Sequence, residues 1–436
     1  MTGAARARAG RPVAGTPGER PGCPIAPAPG LRVGLVVAAV VLLGVVAGAG
    51  ADPGSLATPE RAHVARLPDP GAHWVWVPDR LLGHSLLLDG DAGTVLGVLD
   101  TPNELMFPPP LLSRSRGEVY SADIVYARGT RGPRSDFVSI YDATTLVPLA
   151  EVAVPTRLGQ SNTSYAYAEL LGDRFLALFN QFPEVSVSIV DLERRAFVGA
   201  IPIAGCAGVF PVSSHRFATL CGDGTALQVT LDESGRLARR DPSDPFFDPV
   251  LDPVAMPGGR DGARWTWVSF GGRVHTIDFG GDTPAVGEGW SLLDAAGAAG
   301  WRPGGLQHVA VHPGLGRLYV IMHEGGPGTH KEPGPEVWVY DLAEHARVAR
   351  FEAPNLTAAF IAPLAGVAPG TFTYRLMEWL LPADGIHTIV VTGDDDPVLF
   401  VRNAERGAVA MLDARTGEMR RILTDAGLAG PTLRAP

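Results

Sequence analysis

One short pattern recurs seven times along this chain. An alternating apolar strand ends in Asp, a short polar turn follows, and another apolar strand begins. Successive Asp residues are 41 to 72 positions apart, which is the length of a propeller blade with long connections. Aspartate at a strand end can accept a hydrogen bond from the turn backbone two residues on. We therefore interpret these residues as turn formers and predict an all-β fold, a seven-bladed β-propeller. The seven residues are Asp89, Asp142, Asp191, Asp232, Asp278, Asp341 and Asp413.

Each repeat unit shows at least three strands. A further apolar strand lies upstream of six copies, as in EVYSADIVY, RFATLC and HTIVVTG. We expect a fourth strand in the weakly patterned spacer. A helical period is evident only from Phe372 to Leu381, which predicts a short helix. The spacer from Asp341 to Asp413, notably Ala358 to Ile386, is longer than expected. The sequence therefore does not define the edge of the seventh blade.

The N-terminus has the form of an export signal. Residues 33–51 carry no charge, Arg32 precedes them, and Ala47, Ala49 and Ala51 form an A-x-A-like cleavage site. The alternative is an uncleaved anchor, because such a stretch nearly spans a bilayer. Either way we expect a periplasmic protein. The predicted domains are a signal peptide or N-terminal anchor at 1–51, an N-terminal arm at 52–73, and the propeller at 74–436.

Composition and motifs exclude several classes of function. The net charge of −10 and the lack of a basic stripe argue against a nucleic-acid ligand. There is no G-x-S-x-G, no H-E-x-x-H and no phosphate-binding glycine loop. His308 and His312 share a strand face but lack a third metal ligand, so we expect core or rim histidines. Asp394, Asp395 and Asp396 suit a solvated hairpin tip better than a calcium site. Lysine is scarce and arginine abundant, which we interpret as genomic base composition.

Three segments resemble one family. Val125 to Pro155 reads VYARGTRGPRSDFVSIYDATTLVPLAEVAVP, Gly300 to His323 begins GWRPGGLQHVAVH, and Gly205 to Thr225 reads GCAGVFPVSSHRFATLCGDGT. These are similar to segments of methylamine dehydrogenase heavy chains, the heavy subunits of quinoprotein amine dehydrogenases. His330 and Lys331 also match an H-K pair in a long loop of this family. We interpret the matching residues as structural: Trp301, Arg302, Pro303, Gly304, Gly305, His312, His330 and Lys331.

The resemblance implies that the protein functions with a second chain and that the two chains have different roles. The heavy chain is a propeller with a disulfide, here Cys206–Cys221, in an α2β2 assembly with a small disulfide-rich light chain. The light chain contains tryptophan tryptophylquinone, which oxidises a primary amine to an aldehyde and ammonia, and electrons pass to a small blue-copper protein. The expectation is therefore that this chain carries no catalytic residue, cofactor or metal.

The resemblance also suggests a wall of the amine channel. Asn103 to Pro110 aligns with a family turn whose Phe lines the channel. Counting back from the prolines selects Met106, whereas residue type selects Phe107. The alternative is a proline-stiffened blade connection with apolar anchors.

Two other functions remain open from the sequence. The first is a non-catalytic periplasmic propeller that acts as a binding or scaffold module, because propellers host many functions. The second is a stand-alone oxidase or lactonase with a metal in the central channel, which would need inward-facing ligands from several blades.

Overall fold

The computed structural model of the chain describes residues 65–79, 81–100, 108–129, 131–155, 165–368, 370–424 and 426–435. Its strands form seven antiparallel sheets, which are the blades of a seven-bladed β-propeller. The predicted signal peptide or anchor lies outside the described residues. All described residues belong to the unit Ala57–Pro436.

Blades 1 to 4 follow one another along the chain. Blade 1 contains β1 (Trp74–Asp79), β2 (His84–Asp89) and β3 (Thr94–Asp100). Blade 2 contains β4 (Leu111–Ser113), β5 (Glu118–Arg128), β6 (Arg131–Asp142) and β7 (Pro148–Val154). Blade 3 contains β8 (Ala168–Leu171), β9 (Phe175–Asn180), β10 (Ser186–Asp191) and β11 (Ala196–Pro202). Blade 4 contains β12 (Cys206–Ser213), β13 (Arg216–Cys221), β14 (Ala226–Leu231) and β15 (Leu237–Pro242).

Blades 5 to 7 complete the series. Blade 5 contains β16 (Val254–Asp261), β17 (Arg264–Ser269) and β18 (Arg273–Asp278), which pairs with both β19 (Ala285–Val286) and β20 (Trp290–Ser291). In blade 6, β21 (Trp301–Pro303) and β22 (Val309–His312) both pair with β23 (Arg317–Glu324), and β24 (Glu336–Asp341) and β25 (Ala346–Glu352) follow. Blade 7 contains β26 (Thr388–Val391), β27 (Val398–Arg402), β28 (Val409–Asp413) and β29 (Met419–Leu423).

Two helices interrupt the path from blade 6 to blade 7. They are α1 (Leu356–Leu364) and α2 (Phe372–Leu380). Asn355 and Thr371 are their N-caps, with side-chain oxygens that accept from the backbone of Ala358 and Tyr374. The predicted helix is therefore present as α2, and α1 was not predicted. Three 3-10 turns also occur, at Tyr165–Tyr167, Leu292–Asp294 and Pro313–Leu315.

Apolar side chains fill the space between each pair of neighbouring blades. Seven of the core clusters each draw on two adjacent blades, and one of them joins blade 7 to blade 1. Such burial is the main favourable contribution to folding. The blades therefore form a closed ring in which no blade has an uncovered face.

The C-terminus closes the ring. Among the described residues, blade 1 has three strands of its own, and its innermost position is taken by the residues around Arg434. The backbone N–H of Trp76 donates to the carbonyl of Arg434 at 2.8 Å, and the reverse bond measures 3.1 Å. Gln307 of blade 6 exchanges two hydrogen bonds with the backbone of Leu433. The first blade is thus completed by residues that follow the seventh blade in the sequence.

The candidate partner-binding face

The antiparallel blades divide the turns between two faces of the ring. Because neighbouring strands alternate in direction, the turns after the innermost and third strands lie at one face. We call it the aspartate face. The turn after the second strand and the connections between blades lie at the other, which we call the connection face. Two hydrogen bonds join a turn after a second strand to a connection between blades, as this assignment requires. The amide of Gly222 donates to the carbonyl of Gly205, and the amide of Gly334 donates to the carbonyl of Ile386.

The seven repeated aspartates all lie on the aspartate face and form turns. In each case one side-chain oxygen accepts from a backbone N–H two to four residues further on, as at Asp89 (2.8 and 3.1 Å) and Asp413 (2.8 and 3.0 Å). The other five make the same kind of bond. The interpretation of these residues as turn formers is confirmed, and their face is polar.

The connection face is instead rich in exposed apolar side chains. Among the described residues, nineteen large apolar side chains are exposed, and eleven of them lie in the turns and connections of this face. The rest lie on or next to outermost strands. Exposed apolar side chains gathered on one face of a domain are a feature of interaction surfaces. The eleven are Leu81, Leu82, Phe182, Val250, Leu251, Leu364, Phe372, Leu376, Trp379, Leu380 and Leu428.

Helix α2 contributes the largest part of that surface. Its inner side is anchored by Tyr374 and Met377, which are buried against α1. Its outer side presents Phe372 and Trp379, which are 82% and 78% exposed, together with Leu376. The spacing of four and three residues places these on one face of the helix. The helix is therefore apolar on two opposite sides, and only one of them is covered by described residues.

The tryptophan–arginine–proline motif shapes the start of blade 6. Trp301 packs against Trp338 with ring centroids 5.1 Å apart, and Arg350 lies 5.0 Å over its ring. The Nε of Arg302 donates to the carbonyl of Gly325 at 2.9 Å, and Pro303 is buried. These contacts fix the inner strand of the blade and the loop that follows β23.

The two glycines of this motif permit close packing. A Cβ at Gly304 would lie 2.3 Å from Nδ1 of His323. Gly305 has φ +112°, and a Cβ there would lie 2.7 Å from the carbonyl oxygen of His387. Neither position can accept a side chain without a shift of its neighbours. Their contacts agree with a structural reading of the motif.

The long loop between β23 and β24 crosses the connection face. Nε2 of His323 is 2.7 Å from Oγ1 of Thr329, and the ring of His330 stacks on Phe270 of blade 5 with centroids 3.7 Å apart. Burial lowers the pKa of both histidines, with further lowering by the charges of Arg302 and Lys331 respectively. The contact of His323 with Thr329 and the stacking of His330 on Phe270 thus hold the loop in place, and Lys331 is exposed beside them.

The other histidines and the aspartate triplet have structural contacts. Nδ1 of His312 accepts from the backbone of Leu315, and its Nε2 donates to the carbonyl of Asp394, both at 3.0 Å. His308 is buried, which lowers its pKa to about 4. Asp394 lies in a turn, as expected, but is only 27% exposed and contacts His73. In the described part of the chain, no three His, Cys, Asp or Glu residues are placed to share a metal ion.

The predicted cysteine pair bridges the two kinds of loop on this face. Cys206 and Cys221 are directly opposite each other on β12 and β13 and are disulfide-bonded. They join the connection from blade 3 to blade 4 with the turn after β13. The disulfide therefore stiffens this part of the connection face.

Met106 and Phe107 lie outside the described residues. The structure gives the two ends of their connection: β3 ends at Asp100, and the prolines that precede β4, Pro108 to Pro110, are buried. Both ends belong to the connection face. Across the described residues, no helix has the length and apolar character needed to cross a bilayer.

The described residues thus form a seven-bladed propeller whose exposed apolar side chains are concentrated on one face. Comparison with known proteins identifies the family. The family model for the methylamine dehydrogenase heavy chain matches residues 69–358, which is more than half of the sequence. The chain belongs to the methylamine dehydrogenase heavy chain family and is homologous to a subunit of an amine-oxidising oxidoreductase.

Individual relatives support the assignment. The chain is 26% identical over 409 residues to the methylamine dehydrogenase heavy chain of Methylophilus methylotrophus, with 91% of this chain and 93% of that one covered. Identity to the heavy chain of Paracoccus versutus is 26% over 379 residues, with 85% and 80% covered. A functionally unknown protein from Desulfotomaculum acetoxidans has a TM-score of 0.53 at 12% identity, covering 83% of this chain and 98% of that one. This last likeness shows the fold alone.

Proposed function

We propose that this chain is the heavy subunit of a periplasmic amine dehydrogenase. It binds a small light chain on its connection face, in an assembly with two copies of each chain, and the complex oxidises primary amines to aldehydes and ammonia. A small blue-copper protein accepts the electrons. Family membership supports the proposal, and the observation that carries it is the concentration of exposed apolar side chains on one face. A stable protein interface needs such a desolvated centre.

In this proposal the oxidation of the amine takes place on the light chain. Tryptophan tryptophylquinone on the light chain would supply the redox step. The tryptophans of this chain have other contacts: Trp265 and Trp267 are buried between blades 4 and 5, and the Nε1 of Trp265 donates to the carbonyl of Pro211. Trp338 is buried between blades 5 and 6. The role of this chain is to hold the light chain rigidly, to exclude water and to form one wall of the amine entrance.

Met106 and Phe107 are the proposed wall residues. Buried prolines fix the C-terminal end of their connection, and proline restricts the backbone. The described ends of this connection, Asp100 and Pro108, lie on the face that we propose binds the light chain. The proposal makes these residues determinants of which amine fits.

Co-purification tests the proposed function. The tagged chain, purified from its native host, is expected to bring down a short cysteine-rich chain in equal amount that stains for protein-bound quinone. That complex should reduce a dye in the presence of a primary amine, and the isolated propeller should not. Amine-dependent turnover by the isolated chain, or a native preparation without a quinone-bearing partner, would overturn the proposal.

A further inference from the structure

The sequence contains a single lysine. Of its 36 Lys and Arg residues, only Lys331 is a lysine. Arginine supplies the cation at the ion pairs and ring contacts of the fold, as Arg350 does with Glu336 and Trp301. A background that favours arginine so strongly makes the one ammonium group informative. Lysine presents a compact charge with three donors, whereas arginine presents a wide planar fork, so the two are not interchangeable in a narrow site.

The backbone on both sides of Lys331 is fixed. Before it, Oγ1 of Thr329 donates to the carbonyl of Gly326 at 2.8 Å and contacts His323, and His330 stacks on Phe270 with an angle of 9° between the rings. After it, the amide of Glu332 donates to the carbonyl of Thr329 at 3.0 Å, and Gly334 pairs with Ile386. Lys331 is therefore held at a defined position although its side chain is exposed.

The fold itself makes no use of this charge. Lys331 has no hydrogen bond or ion pair with any of the described residues, whereas Thr329 and His330 before it contact His323 of blade 6 and Phe270 of blade 5. It lies on the connection face, where Val250 and Leu251 of the connection from blade 4 to blade 5 are 83% and 84% exposed. An unpaired ammonium that extends from a fixed backbone on such a face has the features of a recognition group for another molecule.

We propose that Lys331 determines the specificity of light-chain docking by donating to a carboxylate of the light chain. The inference rests on the proposed function, since it assigns a contact within that interface. Apolar contacts of the connection face supply non-directional affinity, and the ammonium–carboxylate pair selects the partner and its orientation. Because the pair is desolvated on docking, loss of either member leaves a buried unpaired charge.

The single lysine makes a direct test available. A water-soluble carbodiimide joins an amine to a nearby carboxylate as an amide, with loss of the reagent as a urea. In the purified complex, the cross-linked peptides identified by mass spectrometry should include Lys331 joined to an Asp or Glu of the light chain. A Lys331 joined only to another copy of the propeller, or a Lys331 equally modified by an amine reagent with and without the light chain, would overturn the inference.

Substitutions test whether the position requires an ammonium group or only a positive charge. Lys331→Met is expected to weaken light-chain binding by roughly 30-fold or more, and Lys331→Arg to restore only part of it. Arg194→Met is the matched control, because Arg194 is 65% exposed on the aspartate face, and it should bind as the parent does. If Lys331→Arg binds as the parent, the position needs charge alone and the inference fails. If the parent binds no light chain, the proposed function fails instead.

Discussion

Arg434 joins the closing strand of blade 1 to the innermost strand of blade 3. Its guanidinium contacts both carboxylate oxygens of Glu169 at 3.0 and 3.1 Å. Glu169 is buried, which raises its pKa, and the charge of Arg434 opposes that rise. Arg434 is thus the cation that partly compensates for the burial of a carboxyl group on the innermost strand of blade 3.

Removing one member of this pair should be costly. We expect Arg434→Met to lower the free energy of unfolding by about 3–5 kcal/mol, because Glu169 would remain buried without its cation. The double variant Arg434→Met/Glu169→Gln should recover much of the loss. Denaturant unfolding of the parent and both variants measures this. Equal losses in the single and double variants would show that the pair contributes through packing rather than charge.

The wall residues predict a change in substrate preference. In the assembled complex, Phe107→Ala or Met106→Ala should shift the relative kcat/KM for a small and an aromatic amine by about 1–3 kcal/mol per methylene-scale change. Assembly with the light chain should be unchanged. Should both variants keep the parent ratio of kcat/KM values, this connection is not the wall and is a proline-stiffened link between blades.

At the scale of elements, the hairpin of β12 and β13 is stabilised by its disulfide. The bonded cysteines are 15 residues apart, and closure of a loop of this length contributes about 3 kcal/mol in the chain-entropy model. We expect non-reducing peptide mapping to find Cys206 linked to Cys221. The variant Cys206→Ser/Cys221→Ser should unfold at a correspondingly lower denaturant concentration. Two free thiols in the mature protein would contradict the prediction.

The outer side of α2 provides a test of the docking face. Phe372→Ser/Trp379→Ser should change the free energy of unfolding by no more than about 0.5 kcal/mol, because both side chains are exposed. The same variant should bind the light chain more weakly. Val95→Ser/Val98→Ser is the control, since these residues are exposed on the outermost strand of blade 1. Equal binding by both variants and the parent would remove α2 from the interface.

Most elements could be predicted from their own residues, and the exceptions have physical reasons. Strands such as β9 and β23 are short apolar runs upstream of the strand that ends in Asp, which is a local signal. In the seventh unit the strand marked by HTIVVTG is β26, which is innermost, and β27 intervenes before the aspartate strand. Helix α1 was missed because LTAAFIAPL is apolar on nearly all sides and contains Pro363, so it has no period to detect.

The candidate face was less accessible to prediction from sequence. Its exposed side chains are scattered from Leu81 to Leu428, and only the ring brings them to one side. The closing contact of Trp76 with Arg434 is likewise non-local, since hundreds of residues separate its partners. Sequence patterns report local order, whereas these features depend on the closed topology.

At the scale of the whole molecule, we expect the contact between blades 1 and 7 to depend on pH through His73. Nδ1 of His73 is 2.7 Å from Asp91 of blade 1, and its Nε2 is 3.1 Å from Asp394 of blade 7. The backbone carbonyl of Asp396 also lies 3.0 Å from Nε2 of His73, and the carboxylate of Asp396 is paired with Arg420. Burial alone would lower the pKa of His73, but hydrogen bonds and charges of Asp91 and Asp394 outweigh it and raise the pKa.

A raised pKa in the folded state has a defined consequence for stability. The contribution of protonated His73 is complete below its unfolded pKa, about 6.5, and is lost as pH rises through the folded-state pKa. We expect the parent to lose more stability than His73→Gln between pH 6 and pH 8, as measured by denaturant unfolding. His84→Gln is the control and should behave as the parent. Parallel pH profiles for the parent and His73→Gln would contradict this prediction.

The completion of blade 1 by the residues around Arg434 also sets an order of events. Blades 2 to 7 can each be finished as soon as their own residues have been made. Blade 1 keeps its inner edge unpaired until the residues around Arg434 have been made, and an unpaired edge invites pairing with other chains. A chain truncated before Leu433 would therefore remain an open ring with an aggregation-prone edge. Folding of the first blade thus depends on residues that are translated after all the strands of blade 7.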